Sequence, residues 1–305
     1  MIKGIAAVVL ASIALGLIPS LTKITLNMNI SPDSLIFYRF AFSAFFMMLL
    51  TLAQKHSFRV SKRQLWQLIV FGVLGSGLTG VFLTWSLIYI PTGLSTMFHF
   101  SYPIIVILFM AVIYKERITR QKVAAVLLAV AGLVLMMKPA GGIRAAGVIL
   151  SLLSGVTYAT YVIAGKKASF SCLPSAVIVF YVSGFCAIFL GILAAVSGTL
   201  NFPLEPAPWL CLSLAALISS VFGLCMLFTG IKILGASNSA VLNMLEPVTA
   251  VLAGIFFFRE SLPFTTVVGC ACIITSAVMV SRESRNMEQI QKEEENASQE
   301  QTNIK

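Results

Sequence analysis

Residues 234 to 260 read LGASNSAVLNMLEPVTAVLAGIFFFRE, and residues 90 to 116 read IPTGLSTMFHFSYPIIVILFMAVIYKE. Laid over each other at a spacing of 144 residues, they place Ser239 on Ser95, Pro247 on Pro103, Leu252 on Leu108 and Glu260 on Glu116. Each stretch is apolar for long enough to cross a bilayer, whose hydrocarbon core of roughly 30 Å takes about 20 helical residues. Each also holds a proline inside the apolar run and closes on a basic-acidic pair, Lys115-Glu116 or Arg259-Glu260. An interrupted membrane helix that recurs at fixed spacing points to an all-α membrane protein built by duplication.

The match extends without a gap from Ile90 to Met137 against Leu234 to Ser281, and a slide of 143 brings Gly4, Lys23 and Phe37-Tyr38 onto Gly147, Lys166 and Phe180-Tyr181. Ten segments qualify as spans: 4 to 22, 34 to 54, 65 to 88, 93 to 114, 121 to 138, 146 to 165, 174 to 197, 207 to 231, 237 to 258 and 263 to 281. The first resembles a signal peptide, but its counterpart in the repeat argues that it is retained. Five spans per half is an odd number, so the second half enters the membrane upside down. The expected fold is therefore ten transmembrane helices as two inverted five-helix repeats, residues 1–142 and 143–281.

Composition agrees with this reading. Of 305 residues 58% are apolar and 10% charged, and the mean hydropathy is +0.96. Lipid has to cover much of such a surface. The net charge of +10 reports topology and no nucleic-acid partner, because sixteen lysines and arginines fall on the side of the termini and four on the other. Both termini are expected in the cytoplasm of a cell, with the plasma membrane as location. The six cysteines lack metal-site spacing, so no metal or cofactor is expected. The polar stretch 282–305, rich in Glu and Gln, is expected to be a disordered cytoplasmic extension.

A proline inside a helix strips the carbonyl four residues earlier of its partner and bends the helix. Here those carbonyls belong to His99 and Asn243, repeat mates, as are Tyr102 and Glu246 just before Pro103 and Pro247. Glu246 lies about 14 Å into its helix, near the midplane. An acid at that depth is functional by default, as a partner for a cationic group or as a proton acceptor, or it is held in an ion pair with Arg39. His99 either relays protons or is simply hydrogen-bonded. Tyr158, Tyr161, Thr157 and Thr160 of the sixth helix, and Ser12 of the first, suit an amphipathic ligand or ordinary helix packing. Trp85 is either an interfacial anchor or part of the pocket. Arg39 is assigned to helix packing or snorkelling, and Glu116 and Glu260 to helix-end pairs with Lys115 and Arg259.

The proline pair in the fourth and ninth helices, the two basic-Glu turns, Glu246-Pro247 and Arg39 together resemble the drug/metabolite transporter superfamily, EamA-like branch, over residues 1 to about 281. The resemblance implies export or exchange of amino acids, nucleobases, sulfonium compounds or other small metabolites through a central cavity. One departure is Val182, which stands where the first repeat has Arg39. Enzymatic activity is not expected: two histidines, one aspartate and no HExxH or GxSxG do not assemble a catalytic group. The chain has no P-loop for ATP-driven transport. A channel or structural membrane protein is the alternative to a carrier, and Glu246, whose carboxylate could take up a proton, is the candidate for proton coupling, while the sequence leaves the coupling ion open.

Overall fold

The structure, a computed structural model, describes residues 1–86, 88–90, 92–116, 118–136, 144–259 and 262–303. Its helices are α1 (Ile2–Leu26), α2 (Pro32–Ala53), α3 (Lys62–Ser86), α4 (Leu94–Tyr114), α5 (Arg120–Met136), α6 (Ala145–Lys167), α7 (Ser175–Val196), α8 (Pro206–Leu234), α9 (Ala236–Phe258) and α10 (Phe264–Asn303). Among the described residues there is no strand. All but α5 are long and apolar enough to cross a membrane, which makes nine candidate spans among the described residues. In α10 the crossing stretch is Phe264–Asn286. α5 has 17 described residues, and residues 137–143, where its span was expected to end, lie outside the described ones.

Only 33% to 50% of each crossing stretch is buried against protein. The remainder is apolar and open: Phe256 is 81% exposed and Val196 82%. Water does not tolerate so continuous an apolar belt, so the chain is a multi-pass membrane protein.

Local chemistry sets the helix ends. The Ser31 hydroxyl accepts from the Ser34 N–H at 3.2 Å, and Pro32 opens α2 without wasting a donor. Ser61 and Gln64 form a reciprocal capping box at the start of α3, with bonds of 2.8 and 3.2 Å. α4 and α9 end alike, on Lys115 and Arg259, both left-handed at φ 54° and 52°. A left-handed residue that is not glycine costs roughly 1 kcal/mol, so its recurrence at repeat mates marks a shared sharp turn. Gly235, at φ 88°, is the single residue joining α8 to α9.

Repeat mates pack against each other. Along α5 and α10, Gln121 bonds the Met279 carbonyl, Ser276 bonds the Ala125 carbonyl, and Gly132 and Gly269 leave room for each other's backbone. Residue numbers rise on one helix as they fall on the other, so the pair is antiparallel. α2 and α7 pair in the same sense, with Ser34 on the Thr199 carbonyl just beyond α7 and Phe37 against Gly191. Two buried clusters result, one centred on α4, α5 and α9 and one on α2, α3 and α7, and Tyr158 packs against both.

Two features depart from the sequence reading. α3 and α8 each contain a π-helical stretch, Phe71–Gly77 and Ile218–Leu224, in corresponding helices of the two repeats. The stretch from Arg282, expected to be disordered, is helical to Asn303. Glu, Gln, Lys and Met are good helix formers, and α10 supplies a nucleus from which the helix propagates.

Candidate functional site

Both proline-bearing helices break where the sequence places the break. In α4 regular helix stops at His99 and resumes at Tyr102, with Phe100 and Ser101 in a turn. In α9 it stops at Leu242, tightens to a 3₁₀ turn over Asn243–Leu245 and resumes at Glu246. Neighbouring helices run close to each break because they carry glycine there. A Cβ on Gly16 of α1 would lie 2.5 Å from the Glu246 carbonyl, and one on Gly155 of α6 would lie 2.9 Å from the His99 carbonyl.

Asn243 is the hub of the site. Its Nδ2 donates to the Tyr102 hydroxyl at 3.1 Å and to Glu246 Oε2 at 3.2 Å. Its Oδ1 is 3.1 Å from the Ser12 hydroxyl, whose proton is shared with the Val8 carbonyl at 2.9 Å. Tyr102 spends its own proton on the Ala240 carbonyl at 3.3 Å, so its oxygen must accept from Asn243. These partners settle which way the amide points. Asn243, Ser12 and Tyr102 are buried, whereas Glu246 keeps part of its surface open. The cluster ties α1, α4 and α9 together at the two breaks.

His99 extends it towards α6. Ser154 donates to the Ser151 carbonyl at 2.6 Å, so its oxygen accepts from His99 Nδ1–H at 2.9 Å. A run of edge-on and tilted aromatic rings adjoins it. Tyr158 meets Tyr102 edge-on at 4.7 Å, His99 at 5.3 Å and Tyr161 at 6.1 Å, and Tyr161 meets Phe228 at 5.1 Å. Tyr158 is half-buried and Tyr161 fully buried.

The structure thus gathers Glu246, Tyr102, His99, Asn243, Tyr158 and Tyr161, next to Pro103 and Pro247. Trp85 stands apart, 42% exposed near the end of α3, with no bond or ring contact to the group among the described residues. Arg39 and Glu246 do not pair: Arg39 lies over the Phe40 ring at 5.4 Å, and Glu246 accepts from Asn243. Glu116 pairs with Lys122 at 3.2 Å instead of Lys115, because the left-handed turn at Lys115 brings the first turn of α5 back to it. Glu260 lies outside the described residues. Sequence reasoning did not single out Ser154, which has no periodic mark, and it did not reveal that Ser12 reaches across to Asn243.

Fold and site together define a multi-pass helical membrane protein whose two interrupted helices meet over a buried polar cluster. The family model "EamA-like transporter family" matches residues 2–138 and again 145–282, and the chain belongs to that family. Two uncharacterized transporters of Archaeoglobus fulgidus are similar to it. One is 27% identical over 174 residues, 57% of this chain and 62% of the relative, and the other 29% identical over 109 residues, 36% and 39%. The matches therefore span less than two thirds of the length of either relative. A solved structure titled "Crystal structure of protein" superposes with a TM-score of 0.74 at 20% identity, covering 93% of this chain and 98% of that one, a likeness of fold.

Proposed function

We propose that this protein is a secondary carrier that moves a small metabolite across the cell membrane by alternating access, as an exporter or exchanger. The observation that carries this reading is the Asn243 cluster, which places an acid, a tyrosine and a serine from three helices at the meeting point of two helix breaks. Secondary transporters hold substrate near the midplane where such discontinuous helices converge. The groups suit an amphipathic molecule: rings give contact area while Asn243 and Glu246 orient its polar ends.

The reading takes the chain as ten spans in two inverted halves, residues 1–142 and 143–281, followed by an extension over 282–305. α5 counts as the tenth span, since 17 residues is at the low end of the range of about 17–25 that a crossing takes. Inversion is supported by the antiparallel packing of mates, α2 with α7 and α5 with α10. It is also supported by the matched contacts of Gly4 with Ile233 and Leu234 and of its mate Gly147 with Tyr89 and Ile90. The lysine and arginine asymmetry puts both termini in the cytoplasm. Glu246 is the proposed proton-coupling group.

Counterflow in liposomes tests the carrier reading. Vesicles preloaded with an amino acid, a nucleobase or a sulfonium compound should take up the labelled compound transiently against its gradient. A pore equilibrates label without such an overshoot. Uptake unaffected by preloading for every compound that permeates would replace the carrier with a channel.

A further inference from the structure

A cavity of about 110 Å³ lies beside the break in α4, outside the Asn243 cluster. Met97, Phe100, Ser101 and Ile104 of α4 and Val130 and Leu133 of α5 line it. On α5, Val130 belongs to the stripe Leu127, Val130, Val134, whose outer members are exposed, and on α4 the stripe Met97, Ser101, Ile104, Leu108 ends on an exposed leucine. The cavity is therefore a crevice between α4 and α5 that continues the lipid-facing belt inward. Ser101 stands about 10 Å from one end of α4 and about 20 Å from the other, well inside the hydrocarbon core. The second repeat closes the corresponding place: Met97 and Ile104 are half-buried, while their mates at a spacing of 144, Val241 and Val248, are buried.

The wall offers water no hold. The Ser101 hydroxyl turns to α6, where a Cβ added to Gly155 would lie 2.9 Å from its oxygen, and it has no hydrogen-bond partner among the described residues. An apolar cavity stays dry, and an empty one forfeits the dispersion contacts of its lining. What the bilayer supplies at this depth is the end of an acyl chain.

We propose that this crevice is a binding site for the end of a lipid acyl chain, which props the α4 break from the membrane side. An apolar cavity of about 150 Å³ takes a benzene ring, so one of about 110 Å³ takes a few methylenes of a chain. Phe100 links the crevice to the polar cluster. It is buried, lines the crevice, and its ring meets His99 at 5.6 Å and Tyr102 at 5.8 Å. A seated chain thus bears on the ring that packs against Tyr102, the partner of Asn243. The assignment rests on the membrane location of the chain and is independent of the carrier reading.

Photolabelling of the full chain in phosphatidylcholine vesicles tests this. The probe is a phosphatidylcholine with a diazirine near the methyl end of one acyl chain, and labelled residues are located by peptide mass spectrometry. Label on residues 97–104 should exceed by about threefold or more the label on Leu127 and Val134, because a held chain stays longer than a passing one. I104F and V130F each put a ring into the crevice, so each should lose the label on residues 97–104 and keep it on Leu127 and Val134. Equal label at the crevice and at its flanks, no label on residues 97–104, or unchanged label there in a filled variant that folds overturns the proposal. If one filled variant does not fold the other decides, and if neither folds the comparison within the wild type decides. Benzene that raises the thermal midpoint of the purified protein, with no lipid label in the crevice, would make it a pocket for small apolar molecules and overturn the lipid assignment.

Discussion

The Asn243 amide nitrogen stands 3.1 Å from the Tyr102 hydroxyl, joining the interrupted α9 to the interrupted α4 where each helix breaks. The bond crosses between the two repeats, and the same nitrogen holds Glu246 at 3.2 Å. In the carrier proposed above, a rocking of one repeat against the other would strain this contact, so substitutions here test the proposal directly.

Asn243→Ala leaves Ser12, Tyr102 and Glu246 each short of one partner in a buried setting. The expected loss of stability is about 1–3 kcal/mol, read as a fall in thermal midpoint, accompanied by loss of counterflow. Asn243→Asp keeps an acceptor for Ser12 but sets a second carboxylate beside Glu246, so it should transport less well than the alanine variant near neutral pH. An alanine variant that matches wild type in both midpoint and counterflow would show that the hub is ornamental.

Tyr102→Phe retains the 4.7 Å edge-on contact with Tyr158 and removes the oxygen alone. Its expected cost, about 0.6 kcal/mol as for other hydrogen bonds between membrane helices, is smaller than that of Asn243→Ala. Because the two residues share a bond, the double variant should lose less than the sum of the singles. Strict additivity in thermal unfolding would deny the bond.

Much of this arrangement is legible in the sequence. Pro103 and Pro247 locate both helix breaks to within a few residues, and the 144-residue spacing matches the left-handed ends at Lys115 and Arg259. The rest depends on rotation about helix axes and on contacts remote in sequence. Hydropathy gives the depth of Arg39 and Glu246 but not whether they face each other, and here they do not pair. The π-helical stretches arise where packing shifts the backbone bonding pattern, and the glycines of Phe71–Gly77 permit that without demanding it. Helicity from Arg282 onward follows from propensity and continuity with α10, which an argument from the lack of an apolar face does not capture.

Close approach at the breaks gives a third prediction. Gly16→Ala puts a methyl 2.5 Å from the Glu246 carbonyl, and Gly155→Ala puts one 2.9 Å from the His99 carbonyl. Backbone yields poorly, so each should cost about 1–3 kcal/mol, more at Gly16, with counterflow reduced beyond the loss of folded protein. Gly184→Ala is the control: nothing lies within 4 Å of the added carbon, and the change should be neutral or stabilising by about 0.5–1 kcal/mol. A uniform response at all three positions would show that the breaks are not tightly packed.

Glu246→Gln separates proton coupling from construction of the site. The glutamine keeps an oxygen for the Asn243 Nδ2 donor now 3.2 Å from the carboxylate, so the hub survives and the thermal midpoint should stay within about 1 kcal/mol of wild type. What the variant lacks is a carboxylate, the group that in the proposed carrier would gain and lose a proton as the cavity alternates between the two sides. In liposomes with an imposed pH gradient, wild type should accumulate substrate in response to the gradient. The variant should ignore the gradient while still exchanging substrate across the membrane, because exchange requires the site and not the proton. A variant that follows the pH gradient as wild type does removes Glu246 from the coupling. If instead the variant loses exchange as well as the response to the gradient, at an unchanged midpoint, the carboxylate's role is substrate binding through its charge.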